Sequence, residues 1–229
     1  MNKLIVAGCS FSDYSKVDRV YGEFLADKLG LGYIHQGSGC GSNYRIWRVI
    51  GNLIKDGTIT DKDLLIIQYT SLERREFWSH REGSINVDKT VNLNEQYQYG
   101  GSLLKYKSYS SQWQKYQEEK DFLNLFETYF SSTEYESDWF VLMNMFFQSF
   151  LLKHNIKTIF LETMYMNDLP QYGMLDEFKP FYLNWKKNLE DSTIHLEPHK
   201  DYGHLNELGH QLLAHDLFEH IQKCGIINP

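Results

Sequence analysis

Leu64-Leu65-Ile66-Ile67 is a run of four apolar residues with no polar alternation. A strand of that pattern is stable only when both of its faces are covered, whereas a strand with one face in water alternates polar and apolar residues. Lys3–Ala7 is a second short apolar run, ending in Gly8, and reads as a central strand feeding a tight turn. Between them, Val20–Leu29 places Phe24, Leu25 and Leu29 at helical spacing and stops at Gly30, a C-terminal cap. Gly32–His35 predicts a short strand, and the turn from Gly37 to Asn43 leads into a helix carrying Ile46, Val49, Ile50, Leu53 and Ile54. Strands alternating with helices predict an α/β fold built on a doubly wound parallel sheet.

The pattern weakens from roughly Glu82 to Ser111, with Gly100-Gly101 in the middle, and that stretch reads as an insertion containing a hairpin. Helical texture returns over Gln112–Phe130 and Ser137–His154. Within it, Phe140–Leu152 is broken by Asn144, Gln148 and Ser149 and is shorter than the roughly 20 residues a membrane span needs, so it predicts a buried core helix. Lys157–Glu162 predicts another strand, Met164–Pro180 a long loop, Phe181–Leu189 a helix and Thr193–Leu196 a short last strand. Asn206–Lys223 closes the pattern as an amphipathic helix with Leu208, Leu212, Leu213, Leu217 and Ile221 on one side. At 229 residues and 42% hydrophobic, the chain can bury one sizeable core, so a single domain spanning 1–229 is expected.

A formal charge of −7 argues against a phosphate-binding surface and hence against nucleic acid as the partner. The three cysteines, Cys9, Cys40 and Cys224, have neither paired nor metal-type spacing. Neither a disulfide framework nor a metal site is indicated, and a reducing compartment fits. Val6-Ala7-Gly8-Cys9 looks like a lipoprotein cleavage box, but only Leu4 to Gly8 separate Lys3 from the cysteine. An export signal needs an apolar region of about 7–15 residues. A cytoplasmic protein with no membrane partner and no cofactor is the expectation.

In an open α/β sheet, functional groups gather outside the carboxyl ends of the strands, where the turns after the first three strands meet. Ser10 sits in the first of these turns. A serine hydroxyl needs a histidine to accept its proton, and that histidine works best when a carboxylate fixes its tautomer. Asp201 and His204 supply both from one loop just before the last helix. The alternatives are that Ser10 caps a turn, that Asp201 or Asn206 caps the helix and that His204 is a surface residue.

Gly8-Cys9-Ser10-Phe11-Ser12 is similar to the first block of the SGNH/GDSL hydrolases, Gly-Asp-Ser-x-Ser. Asp201-x-x-His204-Leu-Asn-x-x-Gly209-His210 resembles their last block. The resemblance implies a flavodoxin-like three-layer α/β/α sandwich, with Ser10 as nucleophile, His204 as general base and Asp201 as its orienter. It also implies an oxyanion hole built from the N–H of Ser10 and a second-block glycine, for which Gly39 matches best within the run Gly37, Gly39, Gly41. Two departures stand out. The Asp of the first block is Cys9 here, and a cysteine just after an apolar strand is more often buried than reactive. The Asn expected after the third strand is absent from Gln68-Tyr69-Thr70-Ser71-Leu72-Glu73-Arg74. Ser71 can replace it as a hydroxyl donor, or simply end the strand by bonding nearby backbone.

Arg74 is a candidate for binding a negatively charged substrate, with pairing to a neighbouring carboxylate as the alternative. Asn43 is a candidate substrate contact, with capping of the second helix as the alternative. His210 falls on a different side from His204 and is expected to be structural or exposed. The expected activity is serine-dependent hydrolysis of a small ester, such as an O-acyl group on a carbohydrate. The rivals are an acyltransferase using the same triad, separable by its products, and a non-catalytic binding module on the same fold, separable by a serine-directed label.

Overall fold

The computed structural model describes residues 1–12, 14, 17–38, 41–70, 72, 75–79, 97–99, 102–109, 133–163, 169–186, 189, 191–196 and 204–227. Five parallel strands form the central sheet: β1 (Lys3–Gly8), β2 (Gly32–Gly37), β3 (Leu64–Tyr69), β7 (Lys157–Glu162) and β8 (Tyr182–Asn184), in the order β2-β1-β3-β7-β8. Four helices of two turns or more accompany it among the described residues: α1 (Tyr21–Leu29), α2 (Asn43–Lys55), α3 (Thr133–Lys153) and α4 (Glu207–Cys224). The register sets Leu4 to Ala7 beside Leu64 to Ile67, so the two apolar runs lie at the centre, side by side.

Successive side chains on a strand point to opposite faces, and here each face has its own core. Leu4, Val6, Leu64, Ile66, Ile159 and Leu161 pack with Leu25 of α1 and Leu213, Leu217 and Ile221 of α4. Ile5, Ala7, Leu65, Ile67 and Phe160 pack with Ile46, Ile50 and Ile54 of α2 and Phe140, Phe147 and Leu151 of α3. Unalternated strands thus yield a three-layer α/β/α sandwich, each fully buried Leu or Ile contributing about 1.5–3 kcal/mol relative to exposure. The strand order is the flavodoxin-like one, whose switch point lies between β1 and β3. Gly30 ends α1 at φ 65°, the left-handed conformation expected of it.

A second, antiparallel sheet has the order β4-β6-β5, from β4 (Arg75–Ser79), β5 (Tyr97–Tyr99) and β6 (Ser102–Tyr109). β5 and β6 pair as a hairpin across residues 100 and 101, within the expected insertion. β4, however, starts before residue 82 and pairs Arg75 with Tyr109. The helix expected over Gln112–Phe130 lies outside the described residues.

Four other expectations are corrected. The helix expected over Phe181–Leu189 is replaced at its start: a 3₁₀ turn over Asp176–Phe181 leads into β8, the fifth parallel strand. Tyr182 to Asn184 instead take backbone partners from Phe160 to Glu162. Thr193–Leu196 is not a sheet strand: Ser192–Ile194 is a 3₁₀ turn and His195 forms an isolated antiparallel bridge with Leu205. On α4 the buried stripe runs through His210, Leu213, Leu217 and Ile221, while Leu208 and Leu212 are exposed. Finally, α3 is buried on one face only. Among the described residues no helix is long and apolar enough to cross a membrane.

Candidate active site

Ser10 begins a 3₁₀ turn, Ser10–Ser12, directly beyond β1, closed by the Ser12 N–H donating to the Cys9 carbonyl (2.9 Å). Position 8 must be glycine for a steric reason. A Cβ there would lie 2.5 Å from both the Gln68 side-chain oxygen and the Ser12 hydroxyl. Cys9 turns into the core and is fully buried, which removes it as a nucleophile and leaves the half-buried Ser10 facing outward.

His204 comes from the far end of the chain, and its loop is held in place by backbone bonds. The Leu196 N–H donates to the His204 carbonyl (2.9 Å) and the Asn206 N–H to the Ile194 carbonyl (2.8 Å). Asn206 caps α4 by accepting the Gly209 N–H (2.9 Å), and its Nδ2 donates to the Thr193 carbonyl (2.8 Å). Gly209 is required because a Cβ would sit 2.5 Å from the Ile194 carbonyl oxygen. The Asn206–Gly209 spacing therefore encodes how the loop docks. Its product is a 2.8 Å hydrogen bond between His204 Nε2 and Ser10 Oγ. The Phe11 ring stacks on the imidazole at 5.2 Å between centroids.

A buried polar chain runs beneath the serine. The Ser12 hydroxyl donates to Gln68 Oε1, and the Gln68 amide donates to Thr163 Oγ1 (2.6 Å). Ser12 has only one proton to give, so the Tyr21 hydroxyl is the donor in their 2.9 Å contact. Burial pushes the Tyr21 phenol above its ordinary range, which keeps that proton in place. The Tyr21 N–H, an orphan at the start of α1, donates to His210 Nδ1 (3.2 Å). His210 is buried, not exposed; burial and then the neighbouring His204 lower its pKa to about 4, leaving it a neutral acceptor. Sequence reasoning missed Ser12, Gln68, Thr163 and Tyr21. The signal was Gln68, a polar residue in a strand covered on both faces, which has to find a partner there.

The turn after β2 lies against the serine turn. The Ser38 N–H donates to the Gly8 carbonyl (3.2 Å), and a Cβ on Gly37 would lie 2.7 Å from the Ser12 carbonyl oxygen. Gly37 and Gly41 thus serve close backbone approach; neither has the positive φ that a glycine-rich turn often needs. Gly39 itself lies outside the described residues, as do Ser71, Arg74 and Asp201.

Asn43 is neither a cap nor placed as a substrate contact. Ser42 caps α2 by accepting the Arg45 N–H (3.1 Å). Asn43 is buried, with its Nδ2 donating to the Thr70 carbonyl (2.8 Å) and its Oδ1 accepting the Thr70 N–H (3.0 Å). Both amide atoms are committed to joining the start of α2 to the end of β3. Further along the same sheet edge, buried Glu162 accepts from the Tyr182 hydroxyl and pairs with Lys186 (2.8 Å). Among the described residues no three His, Cys, Asp or Glu side chains gather as a metal site.

No family model matches the chain, and no curated protein sequence matches it. Solved structures do. An acetyl xylan esterase, AlAXEase, superposes with a TM-score of 0.53 at 13% identity, covering 96% of this chain and 99% of that one. The psychrotrophic esterase EstA from Pseudoalteromonas sp., in a structure inhibited by monoethylphosphonate, gives 0.52 at 11% identity over 97% and 98% of the two chains. The acetyl xylan esterase Est2A from the rumen bacterium Butyrivibrio proteoclasticus gives 0.51 at 14% identity, covering 99% of this chain and 65% of that one. Coverage that is nearly complete, on a parallel sheet of flavodoxin-like order, identifies the fold as that of the SGNH/GDSL hydrolases.

Proposed function

We propose that the protein hydrolyses a small carboxylic ester through an acyl-serine intermediate on Ser10. The observation that carries this reading is the 2.8 Å contact between Ser10 Oγ and His204 Nε2, at the switch point of the sheet. A nucleophile and its base within hydrogen-bond reach is the arrangement that acyl transfer requires.

His204 takes the Ser10 proton as Oγ attacks the ester carbonyl, and Asp201, three residues upstream, holds the imidazole in the tautomer that leaves Nε2 free to accept. The tetrahedral oxyanion takes hydrogen bonds from the N–H groups of Ser10 and Gly39 and from the Ser71 hydroxyl. Its collapse breaks the bond to the leaving alcohol, to which His204 returns the proton. Water, deprotonated by His204, then attacks the acyl group; the bond to Ser10 Oγ breaks as His204 returns the proton to it, and the carboxylic acid leaves. Two of the structural neighbours are acetyl xylan esterases, which supports an O-acyl group on a carbohydrate as the substrate class. Arg74 would serve a negatively charged substituent.

The test is Ser10→Ala, with turnover of a short aryl ester, labelling by a fluorophosphonate and the thermal melt all measured. Loss of turnover and of the label with an unchanged melt supports the assignment. Wild-type turnover in Ser10→Ala rejects it.

A further inference from the structure

The outward face of α3 is apolar along most of its length. Trp139 is 40% exposed, Leu142 44%, Met145 40%, Phe146 63% and Leu152 37%, while Phe140, Phe147 and Leu151 fill the core on the inner side. Residues three and four apart on a helix are neighbours, so these five form one stripe, interrupted only by Ser149 and prolonged beyond Asp138 by Tyr135, which stacks on Trp139. A helix that is apolar all round is ordinarily covered all round, and a contiguous apolar patch marks a place of association.

We propose that this stripe is a self-association surface. Two copies of the chain pair antiparallel through α3, about a twofold axis lying between Met145 and Phe146. The choice of occupant rests on the pattern of the stripe, which is complementary to its own reverse. In that register Met145 faces Phe146 and Trp139 faces Leu152, and Leu142 meets the small Ser149. Asp138 and Lys153, both exposed, flank the stripe at opposite ends, and each falls opposite the other's counterpart in the second copy. Twofold symmetry makes that ion pair twice. Antiparallel packing also sets the positive end of each helix dipole beside the negative end of its neighbour. A parallel pair would bring Asp138 against Asp138 and Lys153 against Lys153. A polar partner would leave five apolar side chains unmatched.

Sedimentation velocity of the whole chain under reducing conditions tests this. The wild type is expected to show a concentration-dependent monomer–dimer equilibrium. Phe146→Asp places a charge beside the axis in both copies and should raise the dimer Kd by about a hundredfold or more. Leu142→Glu is a second variant at an exposed position with the same expected direction. Asp138→Lys or Lys153→Asp alone should weaken the dimer roughly tenfold, because each creates two like-charge contacts. An equimolar mixture of those two variants should restore it, since every contact is then opposite in sign. A wild type that stays monomeric throughout its soluble range overturns the proposal, as does a dimer indifferent to Phe146→Asp. Failure of the mixture to restore association overturns the antiparallel register.

Discussion

At the scale of single residues, Gln68 joins the serine turn to the rest of the sheet, because its amide bonds Ser12 on one side and Thr163 on the other. Gln68→Leu keeps the volume but strands two buried hydroxyls, at about 1–3 kcal/mol for each group left unpaired. The expected result is a destabilisation of about 2–6 kcal/mol in urea titration. A fall in kcat should exceed any change in KM, since Gln68 acts on the turn that presents Ser10 and not on substrate. Gln68→Glu keeps the acceptor for Ser12 and should recover part of kcat. Ser71→Ala tests the proposed oxyanion donor. Losing one donor costs about 2.7–4 kcal/mol in the transition state, so turnover should drop roughly a hundredfold or more at similar KM. A near-unchanged rate would reject Ser71 as a donor. A faster Ser71→Asn would show that the donor position had been correctly located.

Among elements, α1 and α4 are joined by an imidazole. His210 on α4 accepts the Tyr21 N–H at the start of α1, and its pKa falls from 6.5 to about 4. The folded protein therefore binds this proton less readily than the unfolded chain. His210 contributes its full stabilisation above pH 6.5 and loses it progressively as pH falls toward about 4, where the loss reaches the order of 3 kcal/mol. Melting temperature should decline across that window. In His210→Gln the decline should be shallower, from a lower starting value; an unchanged slope would remove His210 as the cause.

For the molecule as a whole, what could be read from residues depended on how local the cause was. The β1 and β3 runs, the Gly30 stop and the final helix were legible because apolar pattern and backbone conformation act over a few positions. The pairing of chain ends that brings Ser10 to His204 was legible through two short blocks, whose physical content is now visible as the Gly8 close approach and the Asn206–Gly209 docking of the loop. β8 was not legible: three residues carry no period, and its place is set by pairing with Phe160 to Glu162. Asn43 was misread because its partner is backbone 27 residues away. The exposed side of α3 was hidden because an apolar run does not reveal which of its faces is covered. Ile66→Ala, on the central strand, should cost about 2–5 kcal/mol in the same urea titration, whereas Phe146→Ala, on the outer face, should leave monomer stability within about 0.5 kcal/mol.

The bond between Ser10 and His204 spans 194 positions of sequence. During synthesis the serine and its strand emerge ahead of β2 and β3, but β1 lies between those two strands and cannot be sheltered until both have followed. The histidine arrives only with the loop ahead of α4. A chain halted anywhere before that loop carries the serine without the histidine proposed as its base, and a serine hydroxyl alone is a poor nucleophile. On the proposed mechanism, reactivity is thereby withheld from partly made chains, so acquisition of a serine-directed label should report the moment at which the His204 loop docks beside Ser10.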